Sequence, residues 1–80
     1  MDRTTIFNVA ELRQELILIT VDEVLESLSK KGYNAENQLV GYLMTGDLAY
    51  ISNYENSREK IKKFKREEIL LAFINYHEGK

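Results

Sequence analysis

Apolar residues in the first half of the chain follow the spacing of one helix face. Between positions 9 and 31 they recur mainly at steps of three and four residues, the period of an amphipathic helix. The members of this face are Ile17, Val21, Val24, Leu25 and Leu28. Gly32 follows two lysines, where a glycine commonly ends a helix. Capping-box spacings begin at both Asn8 and Thr20, so the region forms either one helix or two.

Turn and cap signals divide the rest of the chain into shorter helical segments. Asn34 can cap a second helix that ends at Gly46, and Asp47 can cap a short turn. Asn56 or Ser57 opens the last helical region. One broad apolar face of that region contains Ile61, Phe64, Ile69, Ala72, Phe73 and Tyr76. The pattern therefore predicts an all-α domain of three to five helices.

Length and composition fit a single small domain. The chain has 80 residues, of which 44% are hydrophobic and 30% are charged. Residues 1–8 lack periodicity, and we expect them to form a flexible tail ahead of one helical domain over residues 9–80. A domain this small, with no disulfide or metal to support it, is expected to self-associate.

Several classes of protein are disfavoured by the same composition. The absence of cysteine excludes disulfide scaffolds and thiolate metal sites. The longest apolar run, Leu16 to Ile19, is far shorter than the ~20 residues that a membrane helix needs. With no signal-peptide pattern visible, we expect a soluble cytoplasmic protein without membrane insertion.

Catalytic and metal-binding patterns are not apparent. The single histidine, His77, lies three residues from the end of the chain, where a surface histidine is the simpler interpretation. Thr45, Gly46 and Asp47 superficially suggest a phosphate loop, but the glycine and lysine spacing of a P-loop is missing. We therefore expect a protein that is not an enzyme and that carries no cofactor or metal.

Charge is distributed unevenly along the chain. Residues 1–53 carry four basic and eight acidic side chains, whereas residues 54–80 carry seven basic and five acidic ones. Arg58, Lys62 and Arg66 are spaced four residues apart, so on one continuous helix they would form a stripe beside the apolar face. That stripe is either a solvated face or a docking surface for an acidic protein, a phosphorylated segment or nucleic acid.

Tyrosines and glycines concentrate in the middle third of the chain. Tyrosine combines an apolar body with a polar tip, which suits both a core and an interface. Gly41 lies inside a helical pattern, where glycine costs about 1 kcal/mol relative to alanine, and it therefore indicates a close approach by another helix. The cluster comprises Tyr33, Tyr42, Tyr50 and Tyr54 around Gly32, Gly41 and Gly46.

Two adjacent threonines, Thr4 and Thr5, lie in the predicted tail. Phosphorylation of either one would add roughly −1.5 to −2 charge units and three strong hydrogen-bond acceptors. The basic stripe on the same small molecule has the complementary charge.

A long block of residues, in fixed order, carries a resemblance to a known family. It comprises Lys31-Gly32-Tyr33-Asn34, Asn37-Gln38, Val40-Gly41-Tyr42-Leu43, Gly46-Asp47 and Ala49-Tyr50-Ile51, and continues through Asn56, Arg58, Ile61, Lys63, Arg66, Glu68-Ile69 and Tyr76. In these residues the chain resembles the IreB/ReoM family of small regulators from Gram-positive bacteria. Structural or interface roles are expected for Gly32, Tyr33, Asn34, Asn37, Gln38, Gly41, Tyr42, Gly46, Asp47 and Tyr50.

The resemblance implies a helical homodimer with a flexible N-terminal tail and no enzymatic activity. Members of the family are substrates of a transmembrane Ser/Thr kinase with extracellular PASTA domains. The unphosphorylated form promotes degradation of MurA, an enzyme of peptidoglycan synthesis, by the Clp protease, and phosphorylation relieves this effect. By the same resemblance the phosphoacceptor is Thr4, with Thr5 less favoured, and the basic row that contacts a partner is Arg58, Lys62 and Arg66.

The sequence departs from the family pattern at four positions. Ala35, Leu48 and Ser52 stand where the family usually has proline, and Asn53 stands where it has an arginine. Loss of proline should loosen the turns but also supplies additional backbone donors. Two alternatives to the regulatory function stay open: a nucleic-acid accessory protein that uses the basic run, which is less favoured, and a purely structural dimer.

Overall fold

The computed structural model describes residues 9–79, and in this part of the chain every regular element is helical. The four α-helices are α1 (Val9–Lys31), α2 (Ala35–Thr45), α3 (Ser57–Ile61) and α4 (Arg66–His77), with 3₁₀ turns at Leu48–Tyr50 and Tyr54–Asn56. The predicted all-α class is thereby confirmed. Thr4, Thr5 and the rest of the predicted tail lie outside the described residues.

The first helical region is one uninterrupted helix. Gly32 ends it with a φ of 100°, and its N–H donates to the carbonyl of Ser29 at 3.0 Å. The next N–H, that of Tyr33, donates to the carbonyl of Leu28 at 3.0 Å. This pair of bonds is a Schellman motif, which requires the left-handed conformation that glycine adopts without strain. No helix within residues 9–79 is both long and apolar enough to cross a bilayer.

Helix α1 is the element on which the other three helices pack. Its predicted apolar face points into the core, where all of its members are buried except the half-buried Leu25. Because α2, α3 and α4 each contribute a few apolar side chains against this one helix, the core is a single cluster. Its buried members are Ile17, Val21, Val24, Leu28, Ala35, Leu39, Tyr42, Ile51, Ile61, Phe64, Ile69 and Ala72.

Side-chain caps define the middle of the chain as the sequence predicts. The Asn34 carboxamide oxygen accepts from the N–H of Asn37 at 3.2 Å and begins α2. Gly46 ends that helix with a φ of 77°, and Asp47 then accepts from the N–H of Ala49 at 2.9 Å. Each cap satisfies a donor that a helix terminus would otherwise leave without a partner.

The basic region differs from the continuous helix that the sequence predicts. Helix α3 ends at Ile61 and α4 begins at Arg66, so the expected single stripe is wrong. Lys65 has an extended backbone, with a ψ of 149°, and its N–H donates to the Glu68 carboxylate at 2.9 Å. This cap stabilises a new helix start at Arg66, and both Ile61 and Phe64 are buried in the core.

Two consecutive residues before α3 occupy the left-handed region of backbone space. Glu55 has a φ of 54° and Asn56 a φ of 64°. Asparagine tolerates this conformation, whereas glutamate does so at a cost of about 1–2 kcal/mol. The Ser57 hydroxyl donates to the Tyr54 carbonyl at 2.7 Å, and Asn53 accepts from the N–H of Arg58 at 3.2 Å. These bonds hold the strained turn in place.

We therefore expect Glu55→Gly to stabilise the protein. Glycine removes the left-handed strain, and after its own entropic cost of about 0.5–1 kcal/mol the net gain should be about 0.5–1 kcal/mol. The measurement is the free energy of unfolding in urea. Glu67→Gly, an exposed glutamate in α4, is the matched control and should lose about 0.5–1 kcal/mol. A destabilised Glu55→Gly variant would contradict the assignment of strain.

Candidate functional site

Arg66 lies against the end of α2. Its Nη1 donates to the carbonyl of Leu43 at 3.1 Å, and the side chain is half-buried. The guanidinium covers Gly46 so closely that a Cβ there would lie 2.9 Å from its Cζ atom. The positive φ of Gly46, which ends α2, is what favours glycine here, and the guanidinium of Arg66 occupies the space beside it.

Arg58 lies against the backbone between the two 3₁₀ turns. Its Nε donates to the carbonyl of Ile51 at 2.6 Å, and this side chain is also half-buried. Ile51 itself is fully buried. A buried carbonyl needs a donor, and no helix supplies one here, so the arginine satisfies it. Asn53 accepts from the Arg58 N–H, so the residue that replaces the family arginine supports the basic row.

Lys62 differs from the two arginines because it is exposed and holds nothing in place. Its Nζ lies 3.1 Å from the Glu59 carboxylate, and both side chains are more than half exposed. Such a surface pair contributes little stability and opens readily to a competing anion.

Within residues 9–79, neither Arg58 nor Arg66 forms an ion pair with a carboxylate. Their positive charge is therefore not neutralised inside the domain.

An ion pair between Arg13 and Glu68 connects α1 to α4. Arg13 donates two hydrogen bonds to the Glu68 carboxylate, at 2.6 Å and 3.0 Å, and its guanidinium lies 5.2 Å from the centre of the Phe64 ring. These hydrogen bonds, together with that from the Lys65 N–H, lower the pKa of Glu68 to about 2. Glu68 therefore stays ionised in mild acid and holds α4 against α1 through Arg13.

The predicted tyrosine and glycine cluster separates into core and surface. Tyr42 is buried, whereas Tyr33, Tyr50 and Tyr54 each expose more than a third of their surface. Gly41 is closely approached as expected, but by the ring of Tyr50 in the 3₁₀ turn rather than by a helix. A Cβ at Gly41 would lie 2.9 Å from two atoms of that ring.

Gln38 fastens α2 to the segment that leads to α3. Its carboxamide accepts from the N–H of Ser52 at 2.9 Å and donates to the Ser52 hydroxyl at 3.1 Å. A proline at position 52 would have no N–H to donate. The substitution of serine for the family proline thus replaces a rigid φ angle with a pair of hydrogen bonds.

Sequence reasoning missed a set of apolar side chains on the outside of the domain. They lie on α1 at helical spacing and on the outward face of α4, and each exposes more than two fifths of its surface. The signal was present, because the run Leu16 to Ile19 places apolar residues on every side of α1. These residues are Val9, Leu12, Leu16, Ile19, Leu70, Leu71 and Ile74.

Two further candidates from the sequence are the single histidine and the carboxylates. His77 is exposed in the last turn of α4. In residues 9–79 no group of three histidine or carboxylate side chains is placed to hold a metal ion.

The two arginines and Lys62 should respond differently to truncation. Arg58→Ala and Arg66→Ala each leave a backbone carbonyl without its charged donor, and we expect each to lose about 1.5–3 kcal/mol of unfolding free energy. Lys62→Ala should change it by less than about 0.5 kcal/mol. Urea denaturation measures all three. If the arginine variants are as stable as Lys62→Ala, the carbonyl contacts have no structural role.

One comparison with known proteins concerns the family of this chain. The family model for the IreB regulatory phosphoprotein matches residues 2–77, a span that contains Thr4 and Thr5 as well as Arg58, Lys62 and Arg66. The match covers nearly the whole chain and agrees with the resemblance found in the residues from Lys31 to Tyr76. The chain therefore belongs to the IreB family of regulatory phosphoproteins.

Proposed function

We propose that the protein is a phosphorylation-controlled adaptor whose basic row, Arg58, Lys62 and Arg66, binds an anionic partner. The observation that carries the proposal is the un-neutralised charge of the two half-buried arginines. Family membership supports a regulatory role for such a surface.

The chemistry of the row suits an anionic group. Each arginine uses one N–H on a backbone carbonyl and retains further donors. Because the carbonyl contacts already hold the guanidiniums, less side-chain entropy is lost when an anion binds. A charge-assisted contact contributes about 1.5–3 kcal/mol, so losing two of them would abolish a micromolar interaction.

We assign control of partner binding to the N-terminal residues 1–8. We infer that a membrane Ser/Thr kinase with PASTA domains phosphorylates Thr4 in the cytoplasm, with Thr5 as a secondary acceptor. The phosphate then either occupies the basic row or repels the anionic partner. In the unphosphorylated state the adaptor promotes Clp-dependent degradation of MurA and so limits peptidoglycan synthesis.

The half-life of MurA in cells after translation is blocked tests this function. Thr4→Ala, which cannot be phosphorylated, should shorten the half-life, and Thr4→Glu should lengthen it. Lys62→Ala should also lengthen the half-life, because it removes a docking charge without disturbing the fold. The matched control is Lys30→Ala, an exposed lysine in the last turn of α1.

Two outcomes would contradict the proposal. MurA turnover that is identical in all Thr4 variants would remove the phosphorylation control. MurA turnover that is unaffected by Lys62→Ala, or that is slowed equally by Lys30→Ala, would place the docking surface elsewhere.

We further propose that the protein is a homodimer whose interface covers the exposed apolar residues of α1 and α4. On α1 these recur at steps of three and four, from Val9 through Leu12 and Leu16 to Ile19, which is the pattern of a helix face that packs on another helix. An apolar face of this length is unusual on the surface of a small monomer.

Light scattering coupled to gel filtration tests the dimer. The wild type should have twice the 9.4 kDa mass of one chain, and Leu16→Glu and Leu71→Glu should shift it toward the monomer. Met44→Glu, at an exposed site on α2, should leave the mass unchanged. A dimer that survives both α1 and α4 substitutions would contradict this interface.

A further inference from the structure

A groove of about 270 Å³ lies between α1 and α4. It is separate from the apolar stripe of α1 described above, because its α1 residues point to the other side of that helix. Its walls are largely apolar, with one carboxylate at the rim. The lining residues are Leu18, Val21, Asp22 and Leu25 from α1 and Phe73 and Tyr76 from α4.

The apolar walls of the groove are only partly covered by the domain itself. Leu18, Leu25 and Phe73 are half-buried, and Tyr76 exposes 73% of its surface. The sequence places Tyr76 on the apolar face of α4, so its exposure leaves an aromatic ring that no part of residues 9–79 buries. An inserted side chain would remove this surface from water, which is favourable in proportion to the area buried.

The rim of the groove is acidic along α1. Asp22 lines the groove, and Glu15 and Glu26 follow on the same face because they lie seven and four residues away. All three are exposed, and none forms an ion pair within residues 9–79. Glu23, on a neighbouring face, differs because Lys60 already pairs with it at 3.3 Å.

We propose that this groove binds a basic amphipathic helix of another protein. An apolar side chain of that helix fills the space beside Tyr76, and its lysines or arginines pair with Glu15, Asp22 and Glu26. A helix laid in an apolar groove is a common mode of peptide recognition. The acidic rim favours a partner with positive charge and speeds its association.

The described helices of a second copy lack the charge that the acidic rim favours. The basic residues of region 58–66 are close in sequence to the apolar residues Ile61 and Phe64. Both of these are buried in their own domain and so cannot enter the groove of another copy. Within residues 9–79 no helix presents several basic side chains beside exposed apolar ones. We therefore assign the groove to a different protein, opposite in charge to the anionic partner of the basic row. One adaptor could then hold two partners at once.

The probe is a fluorescein-labelled helical peptide of about 18 residues, long enough to form a helix, with leucines on one face and lysines on the other. Two further peptides serve as comparisons: a scrambled peptide of the same composition, and one with glutamate in place of lysine. Fluorescence anisotropy with the full-length protein measures the affinity. The wild type should bind the amphipathic lysine peptide and bind the other two at least about tenfold more weakly.

Tyr76→Ala and Asp22→Lys should each weaken binding of the lysine peptide about tenfold. Matched controls are Met44→Ala, which removes a side chain that is 79% exposed, and Glu36→Lys, an equal charge change on α2. These should change the affinity by less than about twofold. Circular dichroism melting curves establish that each variant is folded.

Three results would overturn the proposal. The first is an absence of binding by the wild type. The second is equal binding of the scrambled peptide, or equal losses in the control variants, since either would show general charge attraction only. The third is a change of oligomeric mass in Tyr76→Ala, which would make the groove an interface between copies of this chain.

Discussion

Hydrogen bonds from two arginines to buried or closely packed backbone carbonyls hold the irregular middle of this domain in place. Between α2 and α3 the chain makes two 3₁₀ turns with no proline, disulfide or strand to fix them. Arg66 binds the Leu43 carbonyl in the last turn of α2, Arg58 binds the Ile51 carbonyl between the two 3₁₀ turns, and Gln38 binds the backbone at Ser52. Without these donors the carbonyls would be left unsatisfied, at a cost comparable to a lost charged hydrogen bond.

The same contacts shape the proposed docking surface. A guanidinium that binds a carbonyl keeps its full charge, whereas one that binds a carboxylate is largely neutralised. Arg13 is in the second situation with Glu68, and Arg58 and Arg66 are in the first. The two arginines thus stabilise the fold and also contribute to the proposed docking surface. Lys62 contributes only its charge to that surface. The acidic rim of the groove between α1 and α4 gives the domain a second charged surface, of opposite sign to the basic row.

Local signals in the sequence predicted the elements well, because caps and terminating glycines act over a few residues. Asn34, Gly46 and Asp47 have the roles that their positions indicated. The break at Lys62 to Lys65 was missed, because lysine is not a usual helix cap and neither glycine nor proline marks the end of α3. The carbonyl partners of Arg58 and Arg66 could not be foreseen either. They lie 7 and 23 residues away, a separation that only the packed structure defines.

The most direct test of the central claim is an NMR titration of ¹⁵N-labelled protein with a peptide of residues 1–8 phosphorylated on Thr4. The arginine Nε–H signals are observed, and the unphosphorylated peptide serves as the control. If the basic row receives anionic groups, the phosphopeptide shifts the Nε–H signal of Arg66 and backbone signals around Lys62, and the control peptide does not. Equal shifts with both peptides, or shifts confined to the acidic face of α1, would contradict the account.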